Sequence, residues 1–201
     1  MLPLPDYEHF QYNFSPPELP DELVAWAKLR ECERRVATYT WAESNNDISN
    51  PQYRVLLNDA LSGLLMTIEA VFQFLKDESF SRTKDLETWL AAQPEYDVLL
   101  RGLRTLRHFE AHVESKPAAG HISVVVGGPT TRRWSLQALG PSDLKRLRQP
   151  PLTVDLLPEW NGLVGQLRNV ELFPRALQKL QVLLERAKEL KKDSGSVTPV
   201  A

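Results

Sequence analysis

A mostly α-helical bundle, with a long central helix hairpin and one small inserted β-hairpin, is the fold class the sequence predicts. Three observations carry it. Apolar residues recur every three or four positions over residues 51–76, the period of a helix with a wide buried face. An amphipathic stretch over 21–43 precedes it, and Ser44-Asn45-Asn46-Asp47 between the two reads as a loop. One segment departs from this texture: β-branched residues alternate at Ile122, Val124 and Val126 before the turn residues Gly127-Gly128-Pro129.

The elements follow in order. Residues 1–20 hold Pro3, Pro5, Pro16, Pro17 and Pro20 among Tyr7, Phe10, Tyr12 and Phe14. Proline density forbids a regular helix there, and the aromatics suggest an extended arm lying on the domain or on a partner. Asp21, after Pro20, is placed to cap the first helix, with Leu23, Trp26, Leu29 and Val36 among its apolar positions. Pro51 opens the second helix, in which Leu57, Leu61, Leu64, Leu65, Ile68 and Phe72 mark the packed face. A short helix is expected over 82–92 and a third long one from about Glu95 to Glu114, ended by Pro117 and Gly120. The β-hairpin is expected over about 121–139, with Arg132-Arg133-Trp134 on its returning strand. Pro141-Ser142-Asp143 starts a short basic helix that stops before Pro150-Pro151. A further helix runs from Pro158 or Glu159 to about Glu171, and Pro174 either kinks it or opens a last helix to Lys192, with Leu177, Leu180, Leu184 and Leu190 packed. The helical domain thus spans 21–192, and residues 193–201 form a frayed tail.

At 201 residues with 42% apolar content, a single core is the default. No run approaches the roughly 18 apolar residues of a membrane span, and Met1-Leu2-Pro3-Leu4-Pro5-Asp6 lacks the basic start of a secretion signal. One cysteine, Cys32, excludes an internal disulfide and a cysteine-rich zinc site. The expected compartment is the cytoplasm. The net charge of −2 does not announce a nucleic-acid binder, yet residues 101–148 hold nine Lys/Arg against three acids. Local charge decides whether a phosphate backbone is attracted.

The richest chemistry lies on the third long helix. Arg101, Arg104, His108 and His112 fall along one helical stripe, opposite Leu99, Leu103, Leu106, Phe109 and Val113. Imidazole trades protons near neutral pH, and arginine grips phosphate oxygens bidentately while staying charged. The stripe is therefore expected to face outward as a cationic, proton-transferring surface.

Arg107-His108-Phe109-Glu110-Ala111-His112 resembles the Arg-x(4–6)-His signature of the HEPN superfamily. Arg107 matches the motif arginine, His112 the motif histidine, and His108 the polar position after the arginine, where the family favours Asn or Asp. The resemblance implies a helical domain around a long helix hairpin and a homodimer whose motifs face each other across a cleft. It also implies metal-independent endoribonuclease activity of a toxin or defence type, with an antitoxin-like protein as partner. Other members have lost catalysis and act as binding or dimerisation modules.

RNA cleavage by transesterification needs a base near the 2′-hydroxyl, an acid near the leaving oxygen and positive charge on the phosphate. The expected roles are proton transfer at His112, shared or oriented by His108, with Arg107 and Arg104 on the scissile phosphate. Arg101, Arg132 and Arg133 extend the RNA-binding track, joined by Lys145, Arg146 and Arg148, and Trp134 offers a surface on which a base can stack. No cofactor or metal is expected. His108 and His112 have ligand spacing, but no third ligand is evident, and neighbouring arginines repel a cation. The alternative is a non-catalytic helical partner-binding or dimerisation protein. In it the arginines pair with Glu110, Glu114 or acids on other helices, and His112 is a core-edge histidine.

Overall fold

The computed structural model describes residues 24–44, 51–113, 118–123, 131–148 and 150–195. The expected proline/aromatic arm, the Asp21 cap, the 45–50 loop, the Gly127-Gly128-Pro129 turn and the last six residues lie outside the described residues. The side chains of His112, Arg132, Arg133 and Trp134 are outside them too.

The chain is mostly α-helical. Helices α1 (Val24–Ser44) and α2 (Pro51–Ser79) pack along one another as the long hairpin. Helix α1 buries Ala25, Leu29, Cys32, Val36, Tyr39 and Ala42, spaced by three and four residues, so one stripe meets the core. Burial pushes the Cys32 thiol up to about 12, with Glu31 adding to the effect, which leaves an inert packing group. Helix α2 buries Leu57, Leu61, Leu64, Leu65, Ile68, Val71, Phe72 and Leu75. Tyr39 meets Phe173 of the last helix edge-on at 5.2 Å and accepts a 2.6 Å hydrogen bond from Asn169 Nδ2, which closes that helix onto α1.

Helix α3 (Thr83–Ala91) inserts Leu86 and Leu90. Helix α4 (Val98–Val113) begins three residues later than expected. The Asp97 carboxylate accepts the Leu99 N–H at 3.1 Å, an N-cap that fixes the start. Of its first nine residues only Arg101 is not buried. Strands β1 (Ala118–Ser123) and β2 (Thr131–Leu136) pair antiparallel, with Ala118 opposite Leu136 and Ser123 opposite Thr131. Gly120, expected to end the preceding helix, thus lies in β1.

Helix α5 covers only Pro141–Leu144, held by Asp143, whose carboxylate accepts the Gly140 N–H at 2.7 Å. A 3₁₀ turn at Val154–Leu156 leads into α6 (Leu157–Gln166), and α7 is Asn169–Gly195. The expected boundary at Pro174 is corrected. The break falls at Leu167–Arg168, where Glu171 reaches back to accept the Arg168 N–H at 2.7 Å and caps α7. Pro174 lies inside that helix. Leu190, expected to pack, is exposed, while Leu172, Phe173, Ala176, Leu183 and Ala187 join Leu180 and Leu184 in the core.

On one side of α4 the fit is steric. A Cβ at Gly102 would lie 2.1 Å from Trp160 Cε3, so the indole of α6 occupies the space a side chain would fill. Trp160 is fully buried, and its Nε1–H donates to the Gln137 carbonyl at 3.2 Å. Asn161 accepts the Leu139 N–H and donates to its carbonyl, both at 2.9 Å, so α6 also pins the segment that follows β2.

Candidate functional site

The other side of α4 is electrostatic. Arg104 is only 5% exposed. Its Nε donates to Glu69 Oε2 at 3.0 Å and its Nη2 to Glu69 Oε1 at 3.2 Å, a two-pronged grip on α2. Its Nη1 donates to Glu87 Oε1 of α3 at 3.0 Å and also to the Tyr96 hydroxyl. The Phe72 ring lies 4.5 Å below the guanidinium carbon and the Tyr96 ring 5.7 Å from it. Burial opposes the Arg104 charge, but Glu69, Tyr96 and Glu87 outweigh it and hold the proton more firmly than usual.

Glu69 is the centre of the cluster. Burial works to raise its carboxyl, but the neighbouring His108 and Arg104 outweigh that and hold it below its ordinary value. His108 Nε2 lies 3.8 Å from Glu69 Oε1; the imidazole is 31% exposed and Glu69 16%. A carboxylate held low by His108 and Arg104 together thus sits beside an imidazole that still meets solvent.

Arg101 is drawn to the chain on either side of α4. Its Nε donates to the Tyr96 carbonyl at 3.0 Å, its Nη1 lies 3.5 Å from the Pro151 carbonyl, and its guanidinium stacks 4.7 Å from the Tyr96 ring. Thr105, fully buried, accepts the Leu152 N–H at 2.9 Å and donates to the Arg101 carbonyl at 2.8 Å. Arg107 is half-buried.

The expected outward stripe is therefore corrected. Arg104, expected on the scissile phosphate, is enclosed, because α2 and α3 bring Glu69 and Glu87 to it. Pairing with acids on other helices, the plainer alternative, describes Arg104. Arg107 and His108 are each partly exposed, whereas Arg101 is turned to the Tyr96 and Pro151 backbone. Lys145, Arg146 and Arg148 are exposed after α5.

Glu69, Glu87 and Tyr96 are the members that sequence reasoning missed. Glu69 carried a signal: it is a lone acid in Leu64-Leu65-Met66-Thr67-Ile68-Glu69-Ala70-Val71-Phe72. A carboxylate in such a run needs a cation when the helix is buried.

A groove of about 600 Å³ opens elsewhere, at the start of α4 between α6 and α7, lined by Asp97, Leu99, Glu159, Leu163, Arg175 and Lys179 among others. Lys179 Nζ and Asp97 Oδ2 pair there at 2.9 Å. It shares no lining residue with the His108 cluster. Among the described residues no helix is long and apolar enough to cross a membrane. No family model, curated protein or solved structure matches the chain.

Proposed function

We propose that this chain is a HEPN-like helical domain that cleaves RNA without a metal, through Arg107, His108 and His112 on the C-terminal half of α4. The observation that carries the reading is the pairing of a solvent-touched His108 with an ionised, anchored Glu69. An imidazole beside a carboxylate is the arrangement proton transfer near neutral pH requires. Arg107, adjacent to His108, is the cation for the scissile phosphate, and Arg104 leaves that role for an internal one. His112 carries the main proton transfer and His108 shares it. Arg132 and Arg133, with the basic residues after α5, form the track for the RNA backbone, so binding weakens with salt. A homodimer doubles this small set of groups. The setting is cytoplasmic, with an antitoxin-like protein as the restraining partner.

The test is cleavage of single-stranded RNA by purified wild-type protein and by Arg107→Ala, His108→Ala and His112→Ala. Loss of cleavage in folded variants supports the reading, and cleavage equal to wild type in all three removes it.

One observation favours a second reading, a non-catalytic partner-binding or dimerisation module. Arg104, one of the two arginines first assigned to the phosphate, serves the core instead. Under that reading the purified protein carries no nucleic acid and shows no raised 260/280 absorbance ratio.

A further inference from the structure

We propose that Glu69 is a positioning residue for His108, locked in place by Arg104, so that α2 sets the proton-transfer geometry of a motif carried on α4. The inference rests on the RNA-cleaving reading for its chemistry, but its geometry stands apart from it. Both Glu69 oxygens are gripped by one guanidinium, at 3.0 and 3.2 Å, which fixes the plane of the carboxylate. That guanidinium is itself immobilised by Glu87, Tyr96 and the Phe72 ring. The oxygen that faces Arg104 Nη2, Oε1, is also the one 3.8 Å from His108 Nε2.

A fixed acceptor on the Nε2 side selects one neutral tautomer. Nε2 carries the hydrogen and points at Glu69, and Nδ1 is left as the base. The gap of 3.8 Å exceeds a hydrogen bond, and closing it asks the imidazole to move by about 1 Å, the kind of tightening that accompanies substrate binding. In the reaction, the 2′-hydroxyl proton passes to His108 Nδ1 and the 2′ oxygen bonds to phosphorus. The bond from phosphorus to the 5′ oxygen breaks, and that oxygen takes its proton from His112. The products are a 2′,3′-cyclic phosphate and a 5′-hydroxyl end. Among the described residues, the charged groups that share this cluster with His108 are Glu69 from α2 and Arg104 on its own helix.

The experiment is nitrogen-15 NMR of the imidazoles in the full chain, titrated with pH, alongside RNA cleavage. In the wild type, the neutral His108 is expected as the Nε2–H tautomer. In Glu69→Gln the preference for the Nε2–H tautomer is expected to weaken, and cleavage to fall at least 10-fold in kcat with KM little changed. Glu69→Asp, which keeps the charge, is expected to restore part of both. An Nδ1–H tautomer in the wild type, or an unchanged tautomer population in a folded Glu69→Gln, overturns the proposal. The wild-type tautomer decides the matter even if Glu69→Gln fails to fold. A Glu69-dependent Nε2–H tautomer in a protein that cleaves no RNA supports the positioning and overturns the nuclease reading alone.

Discussion

The two buried sides of α4 are held by different physics. Toward α6, Gly102 and Trp160 fit by shape, with no polar group between them. Toward α2 and α3, Arg104 is held by charge and direction, through two carboxylates and a phenol. A steric contact tolerates a compensating change of volume. A buried ion cluster tolerates only a change that removes or replaces all its charges together. The charged side is also the only one that continues outward, from Arg104 through Glu69 to the part-exposed His108. There a structural device becomes available for chemistry.

The largest expected effect comes from breaking the charged side. Arg104→Ala leaves Glu69 buried without its partner and is expected to cost about 3–5 kcal/mol in a denaturant titration. Arg104→Lys keeps the charge but not the fork, so it should recover only part of that loss. On the shape side, Gly102→Ala forces a methyl into the indole and is expected to cost about 1–3 kcal/mol. Shrinking the neighbour in Gly102→Ala/Trp160→Leu should make the two losses less than additive, and a strictly additive result would deny the contact. Asn161→Ala strands both polar groups of Leu139 and should cost about 1–3 kcal/mol. Asp97→Ala removes the α4 cap at about 1 kcal/mol, read as a lower melting midpoint.

The smallest effect is one of pH. Because the Glu69 carboxyl is held below its ordinary value in the folded chain, its contribution is complete above about pH 4, the unfolded carboxylate range. It is lost as pH falls through the lowered folded value. Urea midpoints measured from pH 7 down to pH 3 should fall less steeply in Glu69→Gln than in wild type.

The helical layout was legible because burial imposes a period, and α1, α2 and α4 carry it plainly. Boundaries were less so. Pro174 is the louder punctuation, yet Glu171 capping the Arg168 N–H decides where α7 begins, and Asp97 rather than Glu95 begins α4. At the site, the sequence singled out α4 and its Arg107-His108 pair. It misjudged Arg104, because a stripe on one helix says nothing about which side its neighbours cover. Glu69 lies 35 residues away from Arg104 in sequence, so only the packing of α2 on α4 reveals them as partners. The four acidic and aromatic groups around Arg104 come from α2, α3 and the turn before α4, which no local pattern links.

The central claim is that α4 divides into an internal anchor at Arg104 and a working end at His108. The most direct measurement is single-stranded RNA cleavage by His108→Ala, paired with its melting midpoint. The expected result is cleavage at least 100-fold below wild type in a protein that still unfolds cooperatively, with a midpoint loss smaller than that of Arg104→Ala. Cleavage indistinguishable from wild type in a folded His108→Ala would contradict it.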